Sequence, residues 1–172
     1  ALIDYALAKD ASGPVRLEIV DAGGKVVRTY SSTEPVFDPD PGKDMAAYDL
    51  FLQARNIVDS YLDIDDPGAS LRQALQLLNQ ATERDQAFAL AYCYKVRAHD
   101  LLYFLDLDPN RAQCEAAHEA VQIAARLAPN SAEVHLAAAD HAFRCDRDYA
   151  AAQKALALAR PGLPNSVPFL VI

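Results

Sequence analysis

The sequence predicts a mainly α-helical solenoid of about three antiparallel helix pairs over residues 45–172. A small β-hairpin segment at 1–32 precedes it, joined by a Pro-rich linker at 33–44. Three observations predict this. The hydrophobic period changes from two to a helical spacing at Met45, turn-forming residues interrupt the helical part at regular intervals, and one pattern of small and large apolar residues recurs there.

In the first segment Leu2, Ile3 and Tyr5 open one strand-like run, Val15 to Val20 form a second, and Val26 to Tyr30 a third. Asp21-Ala22-Gly23-Gly24-Lys25 separates the last two, and paired glycines between β-branched runs supply the positive φ of a tight hairpin. So few strands cannot bury two faces, so they must pack on the helices, pair with another chain, or belong to a larger domain. Prolines 35, 39 and 41 then remove amide donors and disfavour helix at the residues before them, which makes 33–44 a linker.

From Met45 onward, Ala- and Leu-rich stretches are broken at Asp65-Asp66-Pro67-Gly68, near Asp85-Gln86, at Asp108-Pro109-Asn110, at Pro129-Asn130, at Asp146-Arg147-Asp148 and at Pro161-Gly162-Leu163-Pro164. A run of small residue, large apolar residue and small residue ahead of a break occurs three times at identical spacing: Ala74, Leu78, Ala81; Ala117, Val121, Ala124; and Ala152, Leu156, Ala159. Small residues at those offsets let a helix approach its neighbour closely while the large one fills the gap.

These offsets resemble the second helix of the tetratricopeptide repeat. The breaks at Gln86, Pro129 and Pro164 lie 43 and 35 residues apart, against a family unit of about 34. The middle unit is therefore enlarged, which the helix 87–105 and the turn at Leu107-Asp108-Pro109 would absorb. The stretches from Ala47 to Arg55, Ala89 to Tyr92, Ala98 to Tyr103 and Arg147 to Tyr149 resemble the repeat region of bacterial adenylate cyclase-like and TolB-like transcriptional regulators. That resemblance implies a sensing or scaffolding arm. The segment from Gly13 to Ser32 resembles a piece of an immunoglobulin-like β-sandwich and implies no function.

In the tetratricopeptide family the first helix of each pair lines a concave groove. The resemblance places Asp49, Gln53 and Asn56, then Leu90, Cys93, Arg97 and Asp100, then Glu133, Leu136, Asp140 and Phe143 along it. Asp49 and Gln53 stand where chaperone-binding members begin their carboxylate clamp, so capture of a chaperone tail is not expected. Leu136 and Phe143 beside Glu133 and Asp140 suit a peptide or helix with apolar anchors and some positive charge. The expected function is a non-catalytic protein-binding module. Two alternatives are a regulatory arm of a signalling protein and a fragment of a secreted carbohydrate-active protein.

Composition narrows the classes further. A formal charge of −8 and a pI near 4.8 argue against nucleic acid, whose phosphates need clustered Lys and Arg. No apolar stretch approaches the roughly 20 residues of a membrane-spanning helix. Cys93, Cys114 and Cys145 sit in apolar helical runs, which predicts buried free thiols in a reducing, cytoplasmic compartment. The apolar run Phe169-Leu170-Val171-Ile172 predicts that the C-terminal edge packs on a continuation or forms a homo-oligomer contact.

No cofactor, metal or catalytic set is expected. Glu115-Ala-Ala-His118, whose His118 lies one turn after Cys114, has the spacing of a di-iron helix but lacks a second such motif and two further Glu. Asp63-Ile64-Asp65-Asp66-Pro67-Gly68 begins like a calcium loop, yet its twelfth position is Ala74; the acidic residues read instead as a helix start capped by Asp66 or Ser70. His99, His118, His135 and His141 have no nucleophile motif beside them.

Overall fold

A computed structural model describes residues 44–163 apart from Ile64, together with the backbone of Arg16–Val20, Gly23 and Val26–Ser31. The run from Leu2 to Tyr5, nearly all of the linker and the C-terminal run 166–172 lie outside the described residues. The chain divides into two compact units, Ala1–Pro39 and Asp40–Ile172.

In the first unit β1 (Arg16–Val20) and β2 (Val26–Ser31) pair antiparallel, with Arg16 opposite Ser31 and Ile19 opposite Arg28. Val20 then faces Val26, so Val27 is an extra residue on β2 and the ladder carries a bulge there.

The second unit is mainly α-helical, with six α-helices among the described residues: α1 (Met45–Asp59), α2 (Pro67–Arg84), α3 (Ala89–Phe104), α4 (Arg111–Leu127), α5 (Ala132–His141) and α6 (Tyr149–Ala159). Their starts follow from capping chemistry, in which a side-chain oxygen takes up amides the first turn leaves unpaired. Asp44 accepts from the amides of Ala46 and Ala47 at 2.8 and 3.2 Å, and is further held by Arg84 at 3.3 Å. Asp66, rather than Ser70, caps α2, ahead of Pro67 in the first helical position where its missing N–H costs nothing. Asn110, Ser131 and Asp148 do the same for α4, α5 and α6.

Each interior follows from the helical period. Ala47, Phe51, Ala54 and Val58 recur at three- and four-residue steps and are fully buried on α1. They meet Leu71, Leu75 and Leu78 of α2 and Leu101 and Leu102 of α3 in one core cluster. A second cluster joins Tyr92, Cys93 and Val96 of α3 to Ala117, Ala120 and Ala124 of α4 and Val134 and Ala137 of α5. Helix α3 serves both clusters, packing on α1, α2, α4 and α5, which is why apolar residues surround it instead of forming one stripe. The odd-numbered helices α1, α3 and α5 are successive neighbours, and each packs on the even-numbered helix that follows it.

The recurrent small residues occupy the close contacts. Ala74, Ala81, Ala117, Ala124, Ala152 and Ala159 are all essentially inaccessible. Of the large residues between them, Leu78 is fully buried while Val121 and Leu156 are partly so. After α6 the chain returns so closely that a Cβ on Gly162 would come 2.5 Å from Ala132 Cβ, and only glycine fits that approach.

In the connection between α3 and α4, residues 105–110, Asp106 adopts a left-handed conformation at φ 59°. A polar chain ties this turn down: His99 Nδ1 donates to Gln113 Oε1 and Gln113 Nε2 to Asp108 Oδ2, each at 2.6 Å.

Candidate functional site

The polar residues that the fold buries together lie where α5 ends. At His141 the α-helix widens into a π-helical turn, Ala142–Asp146, a departure often found at functional positions. Arg147, left-handed at φ 55°, stops it, and the amide of Asp148 closes back on the carbonyl of Ala142 at 2.9 Å. His141 and Cys145, four residues apart on this segment, both face Asp100 of α3.

Asp100 is completely buried, and His141 and Cys145 are 4% exposed, so water does not solvate the group. His141 Nδ1 lies 3.0 Å from Asp100 Oδ1 and donates to it, while Nε2 looks toward Asp146 Oδ2 at 3.8 Å. Cys145 Sγ lies 3.2 Å from the same Asp100 oxygen. That sulfur is in a disulfide with Cys114 of α4 and carries no proton, so the contact gives the carboxylate no hydrogen bond. The other oxygen, Oδ2, has no partner. The ring of the exposed His118 of α4 lies tilted at 46° against that of His141, with ring centroids 5.6 Å apart.

Burial raises the pKa of Asp100, and the hydrogen bond and charge of His141 only partly offset it. Burial alone would lower that of His141, but the hydrogen bond and charge of Asp100 raise it overall.

The Cys114–Cys145 disulfide overturns the expectation of three free thiols and, with it, the basis for a reducing compartment. The spacing of 31 residues says nothing about proximity; the packing of α4 against α5 creates it. Cys93 alone is free, buried between α3, α4 and α5. Burial, aided by the charge of Glu133, pushes its pKa up to about 12. Raised from an ordinary 9 to about 12, it leaves roughly a thousandfold less thiolate at neutral pH. Iodoacetamide is therefore expected to leave Cys93 unmodified in the folded protein at pH 8 and to modify it at once in denaturant, read by mass spectrometry. The protonated thiol favours the folded state below pH 9, and that contribution is lost as pH rises from 9 through about 12.

The groove residues expected from the sequence fall into two sets. Gln53 and Asn56 are exposed on α1, and Leu90, Arg97, Glu133, Leu136 and Phe143 are partly exposed. Asp100 and Asp140 are instead buried, because α3 and α5 turn those positions toward each other and the π-helical turn, not outward. Cys93 is buried for the same reason. Burial raises the pKa of Asp140, with Arg144 and then Arg97 opposing it. Arg97 makes its short contact elsewhere, at 2.7 Å to Asp59, which also accepts from the Tyr94 hydroxyl. Phe143 forms an aromatic row with Phe104 and Tyr149 at 6.0 and 5.8 Å, and the Arg144 guanidinium lies 5.3 Å from the Phe104 ring centre. The sequence reasoning named Cys145 only as a buried thiol and His141 only as a histidine without a nucleophile motif, and joined neither to Asp100, since sequence separations of 45 and 41 leave no local motif.

The class of protein is thus a mainly helical one whose described residues contain no helix long and apolar enough to cross a membrane. No family model, no curated protein and no solved structure matches the chain.

Proposed function

We propose that the helical unit is a tetratricopeptide-like solenoid acting as a non-catalytic interaction module, with the N-terminal β-hairpin as a separate appendage. The observation that carries this reading is the recurrence of buried small residues at identical offsets on α2, α4 and α6, together with the succession of α1, α3 and α5 as neighbours. In such an arrangement the exposed and partly exposed positions of the odd helices would meet a partner.

The binding surface would use Gln53 and Asn56, then Leu90 and Arg97, then Glu133, Leu136 and Phe143. The row Phe104, Phe143 and Tyr149 adds apolar area, with Phe104 and Tyr149 among the exposed large apolar side chains. Aromatic anchors with charge at the rim favour a partner peptide or helix that has apolar anchors and some positive charge to meet Glu133.

A displayed library of random helical peptides tests it. The wild-type protein is expected to enrich peptides with apolar residues at helical spacing and neighbouring Lys or Arg. A Leu136→Glu, Phe143→Glu variant with unchanged circular dichroism should bind them at least about tenfold more weakly. Absence of enrichment, or equal binding by the variant, would sink the reading.

A further inference from the structure

Asp100 is anomalous for an interior residue. Its carboxylate is fully buried, one oxygen has no hydrogen-bond partner, and the other is served by His141 alone. A buried carboxylate is costly unless it is paired and hydrogen-bonded on both oxygens. Around it, ligand atoms of Asp100, His141 and Cys145 all lie within 4.8 Å of one another. The sulfur of Cys114 is bonded to that of Cys145 and so reaches the same point from α4.

One carboxylate, one imidazole and two sulfurs thus converge from α3, the end of α5 and its π-helical turn, and α4. Four such donors are the set that holds Zn²⁺ tetrahedrally, thiolates being the preferred ligands of a borderline-soft divalent ion. We propose that the Cys114–Cys145 disulfide is the closed form of a metal site, and that its reduction opens a Zn²⁺ site built from Cys114, Cys145, His141 and Asp100.

The conversion balances. A dithiol reductant gives two electrons and two protons to the disulfide; its S–S bond breaks, two thiols form, and the reductant becomes a disulfide. Zn²⁺ then displaces the two thiol protons and takes both thiolates; the proton on His141 Nδ1 moves to Nε2 or, where Nε2 already carries one, leaves to solvent, and Nδ1 and the Asp100 carboxylate complete the coordination.

The backbone is placed for this. Cα atoms 5.6 Å apart let the two side chains rotate so that their sulfurs separate to about 3.8 Å, the spacing of two thiolates each about 2.3 Å from one zinc. Nδ1 of His141, now given to Asp100, becomes the ligand. Nε2 then points to Asp146, the carboxylate that would orient the ring from behind, an arrangement usual for metal-bound histidine.

Co²⁺ is the probe, because thiolate-to-cobalt charge transfer and tetrahedral ligand-field bands are visible directly. The full chain, reduced with a phosphine under anaerobic conditions, is expected to take one Co²⁺ per chain with both signatures, and the oxidised chain none. Asp100→Asn, kept folded by circular dichroism, should weaken binding at least about tenfold, and Cys114→Ser should remove most of the charge-transfer band. Zn²⁺ should also protect Cys114 and Cys145 of the reduced wild type from alkylation, a reading that needs no variant. Reduced wild type without thiolate absorption, unprotected cysteines, or undiminished binding by Asp100→Asn would each overturn the site.

Discussion

Phe51→Ala lowers the free energy of unfolding by about 3–5 kcal/mol, the range for truncating a fully buried aromatic side chain. Phe51 has no exposed surface and meets Phe88 edge-on at 5.0 Å and Tyr94 at 5.3 Å, with Tyr48 at 6.1 Å. Its removal empties the junction of α1, α2 and α3 and withdraws edge-to-face contacts worth about 0.5–1.5 kcal/mol each beyond area burial. Short side chains in the same cluster, the fully buried Ala47, Ala54, Ala74 and Ala81, have no reach to refill the space. Urea titration checks it: the midpoint falls while the slope with denaturant is kept. Leu62→Ala is the control, since Leu62 is 80% exposed and its loss should change stability by less than about 0.5 kcal/mol. A loss below about 1 kcal/mol for Phe51→Ala would mean that the aromatic junction is not a close-packed core.

Phe51 also shows what was legible beforehand. Its burial follows from the steps between Ala47, Phe51, Ala54 and Val58, so the α1 face could be read directly. Helix boundaries were equally legible, because capping is local chemistry: Asp66 before Pro67, Asn110 after Pro109, Ser131 after Pro129-Asn130 and Asp148 all begin helices at the breaks the residues mark. The small residues of the repeated pattern lie at the tight contacts for the same reason, their spacing being set by the helical turn.

What could not be read is what depends on helices meeting. Asp100 and Asp140 have the polarity of groove residues, and a family-based register put them there; only the approach of α3 to α5 and the π-helical turn turns them inward. Nothing in the run Ala139–Asp146 announces that turn, since π-helical widening is a response to tertiary packing and not a propensity. Cys114 was noticed beside Glu115 and His118, but as part of an incomplete metal motif on α4. The segment that completes its surroundings is the π-helical turn after α5, whose Cys145 lies 31 residues away. Charge read from composition gave the partner classes to set aside and nothing about a buried carboxylate.

Exchange of both Cys114 and Cys145 for alanine costs about 3–4 kcal/mol, the loop entropy that a cross-link over 31 residues withholds from the unfolded chain. The double change is the proper comparison because it leaves no new thiol behind. A Cys114→Ser, Cys145→Ser pair should lose less, by about 1 kcal/mol, since a hydroxyl where the sulfur lies 3.2 Å from Asp100 Oδ1 can donate the hydrogen bond that a disulfide cannot. The order alanine below serine below wild type therefore separates two effects: cross-linking, lost in both pairs, and a further hydrogen bond to the buried carboxylate, gained only with serine. Thermal or urea unfolding of the three proteins without reductant measures it. Thiol titration in denaturant fixes the covalent state first: one reactive thiol per wild-type chain before reduction and three after it, against three cysteines in the sequence. Three thiols before reduction would remove the cross-link, and the alanine pair would then cost only its lost packing.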